Sequence, residues 1–310
     1  MEHIIDTFSN GCKNLFKNPI LFAPLLISIV LLLLISSVWV AVVFILAAGT
    51  EINWTIFTVS TIVYLLIAVF LSLYVSAGSV GMSKDVISTG KTSFNRLFVY
   101  GNKYIVRLFF ASIILSILQL VMIIFWLPLI YLCMNSGYTI ELFFDLLINN
   151  LDALIPFLTS LILPTLLGLM LTLIYLIVIS VLFYFVTYAI VVDDLPVFAS
   201  FKKSYVMLRQ NFWKIIIFIV LVYAFTFVIT TFISMISSVL QIFLLPFAIM
   251  DPMGSIISYV IQIIFQIIST VVSILISVLT IVWTTRFYMS LNDHELYVEE
   301  AKENLLETDF

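Results

Sequence analysis

Asp193 and Asp194 are adjacent carboxylates in the stretch VVDDLPVFASFKKSYVMLRQNFWKII, which runs from Val191 to Ile216. Paired carboxylates can hold a divalent cation or meet a lipid headgroup, and an interfacial lipid enzyme would be built on them. They can equally cap the helix that follows, with Pro196 in its first turn, and capping is the reading adopted. Other catalytic chemistry is poorly supplied. The chain has two histidines, His3 and His294, both near its ends, and two cysteines, Cys12 and Cys133, expected on opposite membrane faces. No His/Cys metal cluster and no Ser-His-Asp arrangement is therefore expected. GKTS at Gly90–Ser93 has the end of a phosphate-binding loop, but the glycine needed five residues earlier is Asp85. The expectations are no enzyme activity, no cofactor, no metal and no nucleic-acid partner.

The polar groups inside the apolar runs are amides. Gln119, Gln241, Gln262 and Gln266 are the strongest, and Gln262 and Gln266 lie one helical turn apart. Such residues join helices by hydrogen bonds, the reading preferred, or line a polar path. No ionisable side chain falls in the middle of a span, which argues against a proton- or sodium-coupled transporter. A passive channel or carrier for an uncharged or amphipathic molecule is the alternative function, with Gln119, Gln262 and Gln266 as its polar residues.

The elements that position these groups follow from hydropathy. Hydrophobic residues make up 64% of 310 and charged residues 10%, which places the chain in the membrane class. Uncharged runs cover 18–50, 52–83, 108–140, 153–192, 215–250 and 252–285. Each exceeds the roughly 20 residues that cross a bilayer. In the fourth run Pro156 and Pro164 are expected to interrupt the helix. Residues 141–163 then read as a helix on the outer surface and 164–190 as the crossing. The fold class is all-α: one polytopic transmembrane domain with spans at about 19–48, 54–80, 107–135, 164–190, 213–245 and 255–285. No cleavable signal pattern precedes the first span, so that helix is expected to stay in the protein.

Charge placement gives the orientation. Lys13 and Lys17 precede the first span. Lys84, Lys91, Arg96, Lys103 and Arg107 separate the second from the third. Lys202, Lys203, Arg209 and Lys214 separate the fourth from the fifth, and Arg286 and Lys302 follow the sixth. These are all 13 basic residues. The opposite loops hold Glu51, Glu141, Asp145, Asp152 and Asp251. The positive-inside rule puts both termini in the cytoplasm, in a cell (inner) membrane. A short acidic cytoplasmic tail is expected over 288–310. It is read as solvated, with docking on the basic segments as the alternative.

Three basic, aromatic segments each lead into a span: TFSNGCKNLFKNPILF from Thr7, TSFNRLFVYGNKYIVRLFF from Thr92 and FKKSYVMLRQNFWKIIIF from Phe201. Each reads as an amphipathic interfacial helix, an asparagine N-cap (Asn18, Asn102, Asn211) and a span. Three helical-hairpin units result. True duplication and a shared way of entering the bilayer both fit the pattern. In the third segment Phe198, Phe201, Tyr205, Leu208 and Phe212 would face the acyl chains, with the cations among phosphates. Gly78 and Gly81 would let helices approach. Trp54, Trp213 and Trp283 would anchor at the interface, and Cys12 is placed for S-acylation or as a plain buried thiol.

GMSKDVISTGKTSFNRLFVYGNKY from Gly81 and VVDDLPVFASFKKSYVMLRQNFW from Val191 resemble the connectors of a group of uncharacterised archaeal and bacterial membrane families. That group centres on the membrane domain of glycerophosphoryl diester phosphodiesterase. The resemblance implies six helices and no phosphodiesterase activity, which belongs to a separate barrel domain that no segment here can hold. It brings no site residues. The leading functional expectation is a non-catalytic membrane module. Its basic collar would engage anionic lipid headgroups or a protein partner through Lys202, Lys203, Arg209, Lys214, Lys91, Arg96 and Lys103.

Overall fold

The structure is a computed structural model that describes residues 2–47, 54–128, 130–131, 151–250 and 252–292. Every described element is helical: α1 (Glu2–Lys17), α2 (Ala23–Ala47), α3 (Trp54–Thr89), α4 (Asn95–Leu120), α5 (Leu151–Leu182), α6 (Val186–Val192), α7 (Val197–Gln210), α8 (Phe212–Met250) and α9 (Pro252–Asn292). Short 3-10 segments lie at Pro19–Phe22 and Val121–Trp126. Six helical stretches are long and apolar enough to cross a membrane: Pro19–Leu46, Trp54–Thr89, Asn95–Trp126, Leu161–Val192, Phe212–Leu244 and Ile256–Asn292. The chain is an all-α, multi-pass membrane protein. In hydrocarbon each backbone N–H and C=O must find a partner within the chain, and a helix supplies one locally.

That requirement explains the first departure from expectation. Pro156 and Pro164 do not break the fourth run, because α5 continues through both from Leu151 to Leu182. Losing one backbone hydrogen bond costs less in lipid than opening a whole turn. Residues 141–150 of the expected surface helix lie outside the described residues. The break comes later, at residues 183–185, where Val186 N–H reaches Phe183 O at 3.2 Å.

The chain divides into two compact units. The first comprises Met1–Phe109 and Thr187–Phe310. In it, α2 and α3 run antiparallel, with Ser36 Oγ 3.1 Å from Tyr64 Oη and Trp39 stacked on Tyr64. α8 and α9 are antiparallel too: Phe218 stacks on Phe287 at 4.0 Å, and Ser258 Oγ donates to Leu244 O at 3.2 Å. α1 lies on α9 by one stripe, Ile4, Thr7, Gly11 and Leu15, all buried. Trp283 holds that contact, donating from Nε1 to Phe8 O at 3.1 Å. Only 3% exposed, Trp283 is a core residue and not the expected interface anchor. The second unit, Phe110–Val186, pairs the Val121–Trp126 segment with α5. There Tyr175 Oη donates to Leu118 O at 2.6 Å, and its ring meets Phe125 edge-on.

The α3–α4 contact uses glycines as the sequence suggests. A Cβ at Gly81 would stand 2.2 Å from Tyr100 Cγ, and one at Gly101 would stand 2.5 Å from Tyr74 Cζ. Each helix thus offers a ring to the other's glycine, so the backbones approach closely.

The side-chain caps expected of Asn18 and Asn102 are not made, whereas Asn211 stands directly before α8, its carbonyl accepting from Ile215 N–H at 3.0 Å. Asn102 lies inside α4, which begins at Asn95, and accepts a bond from Tyr74 Oη at 3.1 Å. The second basic segment and its span are therefore one continuous helix. Asn18 turns back instead of forward, donating to Asn14 O at 3.2 Å. There α1 stops, because Pro19 disfavours helical geometry at the residue before it.

Candidate functional site

The carboxylate pair lies where the fourth span ends. The last turn of α6 leaves backbone carbonyls without helical donors. Asp194 then takes φ 56, the left-handed region, which aspartate tolerates better than most residues. Leu195 N–H reaches back to Ala189 O at 3.3 Å and closes the end. Free carbonyls and two carboxylates concentrate negative charge here, and cations converge on it.

Lys84 of α3 donates to Val192 O at 2.6 Å. From α4, Lys103 Nζ lies 2.8 Å from Asp194 Oδ2. Arg107 Nη1 meets Asp194 Oδ1 at 2.7 Å and its backbone oxygen at 3.0 Å. Asp193 Oδ2 takes Lys203 Nζ at 2.5 Å, Asn292 Nδ2 at 3.3 Å and the hydroxyl of Tyr288. Five helices, α3, α4, α6, α7 and α9, are thereby tied at one junction. Lys103, then Arg107, hold the Asp194 carboxyl below its ordinary value, against the opposing effect of desolvation. The expected capping role is not observed. The N-cap of α7 is Pro196, with no side-chain cap bond. The carboxylates serve the end of α6 and its cations, because tertiary donors within reach outcompete a local cap.

A smaller cluster lies beside it. Asp85, which stands where a phosphate loop would need glycine, accepts from Tyr100 Oη at 2.6 Å and pairs with Arg96 Nε at 3.5 Å. Gly90, the glycine of GKTS, ends α3 with φ 75 and bonds back to Val86 O at 3.0 Å.

The seven expected headgroup cations therefore separate into two groups. Lys103, Lys203 and Arg96 are held by Asp194, Asp193 and Asp85. Lys91, Lys202, Arg209 and Lys214 are exposed and take no carboxylate partner among the described residues. α7 shows why. It turns Ser200, Ser204, Met207 and Leu208 inward. The outer stripe, in steps of four, three and four, is Phe198, Lys202, Tyr205 and Arg209. Aromatic and cationic residues alternate along one ridge, instead of lying on opposite faces as the sequence pattern suggests. Leu208 joins the buried side because the two serines are small enough to seat the helix closely. Phe212, Trp213 and Lys214, all exposed, continue the ridge into α8.

Within the spans Gln119, Gln262 and Gln266 are all exposed. Gln119 belongs to the second unit, and Gln262 and Gln266 share one face of α9. Gln266 opens a polar seam with Ser269, Thr270, Ser273 and Ser277, which faces Leu25 and Ile29 across a pocket of about 300 Å³. Thr270, Ser273 and Ser277 each bond back to the carbonyl four residues earlier, which satisfies their donors within the helix. Arg286, counted from the sequence beyond the sixth span, lies inside α9 and is buried. Cys12 is half-buried, and that burial raises its thiol pKa, with the hydrogen bond to Trp283 pulling the other way. Less thiolate makes it a poorer nucleophile.

Compared with known families, residues 3–291 match the family described as Domain of unknown function (DUF7847). The chain belongs to that family. The match spans all six membrane helices and both charged junctions, and it carries no link to glycerophosphoryl diester phosphodiesterase. The resemblance of the two connectors therefore reaches only as far as a family of unknown function. No curated protein and no solved structure matches the chain.

Tyr288 and Asn292 were not foreseen as partners of Asp193. The one available signal was a tyrosine and an asparagine, four residues apart, at the charged end of the last span.

Proposed function

We propose that this DUF7847 protein is a non-catalytic membrane module that holds anionic lipid headgroups at its basic, cytoplasmic face. The observation that carries this reading is the exposed ridge Phe198, Lys202, Tyr205, Arg209, continued by Trp213 and Lys214. Aromatic rings favour the headgroup layer, and cations beside an anionic surface contribute about 1 kcal/mol each. Arg96, Lys103, Arg107 and Lys203 are already engaged by carboxylates, so they hold the fold and leave the ridge to do the binding. The carboxylate pair is surrounded by lysine, arginine and tyrosine donors, which supports a structural role for that junction. The test is native mass spectrometry of the protein released from mixed anionic and zwitterionic lipid discs. The Lys202→Gln/Arg209→Gln/Lys214→Gln variant loses the enrichment in anionic lipid. Unchanged enrichment would remove the lipid role.

A second reading, a passive carrier for an uncharged or amphipathic solute, draws on the seam at Gln266, Ser273 and Ser277. It requires water along that seam.

A further inference from the structure

The chain leaves the described residues at Asn292, and that position has a consequence for the ridge. Asn292 Nδ2 is 3.3 Å from Asp193 Oδ2, the oxygen that also holds Lys203 of α7. Residues 293–310, outside the described residues, thus follow directly on a residue that shares one carboxylate oxygen with Lys203 of α7. That segment holds seven acidic side chains, from Asp293 to Asp309, against one lysine, Lys302.

We infer that the acidic segment 293–310 docks on Lys202, Arg209 and Lys214 and competes there with anionic headgroups. The inference rests on the lipid-binding reading of the ridge and adds its regulation. Charge complementarity is the first argument. The three cations take no carboxylate among the described residues, whereas Lys103, Arg107 and Lys203 do. Reach is the second. The eleven residues from Asn292 to Glu303 span up to roughly 35–40 Å when extended. Lys202 and Arg209 are seven residues apart on α7, on the order of 10 Å. Glu295, Glu299, Glu300 and Glu303 can therefore cover the ridge from its root outward. Tethering is the third. A short linker presents its carboxylates at an effective concentration on the order of millimolar, so modest contacts suffice. Exposed pairs of this kind weaken with salt and yield to a dense anionic surface.

Carbodiimide cross-linking in lipid discs, read by mass spectrometry, tests the contact. Zero-length links are expected between Lys202 or Lys214 and Glu295–Glu303, and they disappear at high salt. Links confined to Lys13, Lys17 or Lys91, or no links, overturn the docking. A variant lacking 293–310 keeps α9 whole. It is expected to retain more anionic lipid, by about tenfold, the equivalent of one or two cations released. That gain vanishes in the Lys202→Gln/Arg209→Gln/Lys214→Gln background. If the triple variant loses lipid while removal of the segment changes nothing, the docking is overturned and the lipid reading stands. If the links form but neither change alters lipid retention, the competition with lipid is overturned together with the lipid reading.

Discussion

Removing the Asp193 carboxylate is the sharpest test of the hub, because three donors depend on one oxygen. Their costs differ with exposure. Asn292 is exposed and recovers its bond from water. Lys203 is about one-third exposed as a side chain, at 32%, so losing its ion pair costs about 0.5–1 kcal/mol. Tyr288 is fully buried, at 0% exposure, and its hydroxyl would lose its carboxylate acceptor, at about 1–3 kcal/mol. Asp193→Ala should therefore destabilise by about 2–3 kcal/mol. Tyr288→Phe removes the donor but leaves the carboxylate with Lys203 and Asn292, so about 1 kcal/mol is expected. The double variant should cost no more than Asp193→Ala alone, and down to about 1 kcal/mol less, which is a coupling of about 1–2 kcal/mol between the sites. Detergent-driven unfolding in mixed micelles, followed by tryptophan fluorescence, measures all four corners of the cycle. Strict additivity would refute the claim that the tyrosine hydroxyl depends on this carboxylate.

Three further outcomes follow from the same geometry. Gly81→Ala and Gly101→Ala each push a methyl into a tyrosine ring, so each should lower thermal stability by about 1–3 kcal/mol. Pairing Gly81→Ala with Tyr100→Leu should recover part of that loss. Asp194 sits below its unfolded value, so its contribution is complete above the unfolded pKa and disappears as pH falls through the folded one. Asp194→Asn, which tolerates the same left-handed backbone, should flatten the acid limb of the stability curve, and an unchanged limb would contradict the pairing. For the carrier reading, a cysteine at 266 or 273, introduced after Cys12 and Cys133 are replaced, should react with a membrane-impermeant thiol reagent. Protection of both positions while interfacial controls react would close that path.

The helix count was legible because the uncharged runs are long and hydrocarbon leaves the backbone no alternative. The same physics hid the course of α5: a proline that ends a helix in water is carried through in lipid. The faces of α7 were misassigned for another reason. Periodicity shows which residues share a stripe but not which stripe is turned inward, and two small serines proved better seats than three aromatics. Partner choice was illegible altogether. Asp194 and Lys103 are 91 positions apart, and nothing local joins them. Only the adjacency of Asp193 and Asp194 marked the place.

What divides the cations is distance from the end of α6. Its carbonyls and two carboxylates form one negative locus, and Lys84, Lys103, Arg107 and Lys203 converge on it from three helices. Helical geometry separates Lys202 from Lys203 by about 100°, so neighbours in sequence face different tasks. Lys203 points to Asp193, and Lys202 lies on the ridge with Phe198 and Tyr205. Lys203→Gln should cost about 1 kcal/mol of stability and leave the lipid preference intact. Lys202→Gln should stay within about 0.5 kcal/mol of the parent and still weaken retention of anionic lipid. The pair is measured on one set of samples, unfolding in micelles and lipid retention in discs. If the two substitutions proved interchangeable in both readouts, the basic residues would act as an undifferentiated field, and the assignment of separate roles would be wrong.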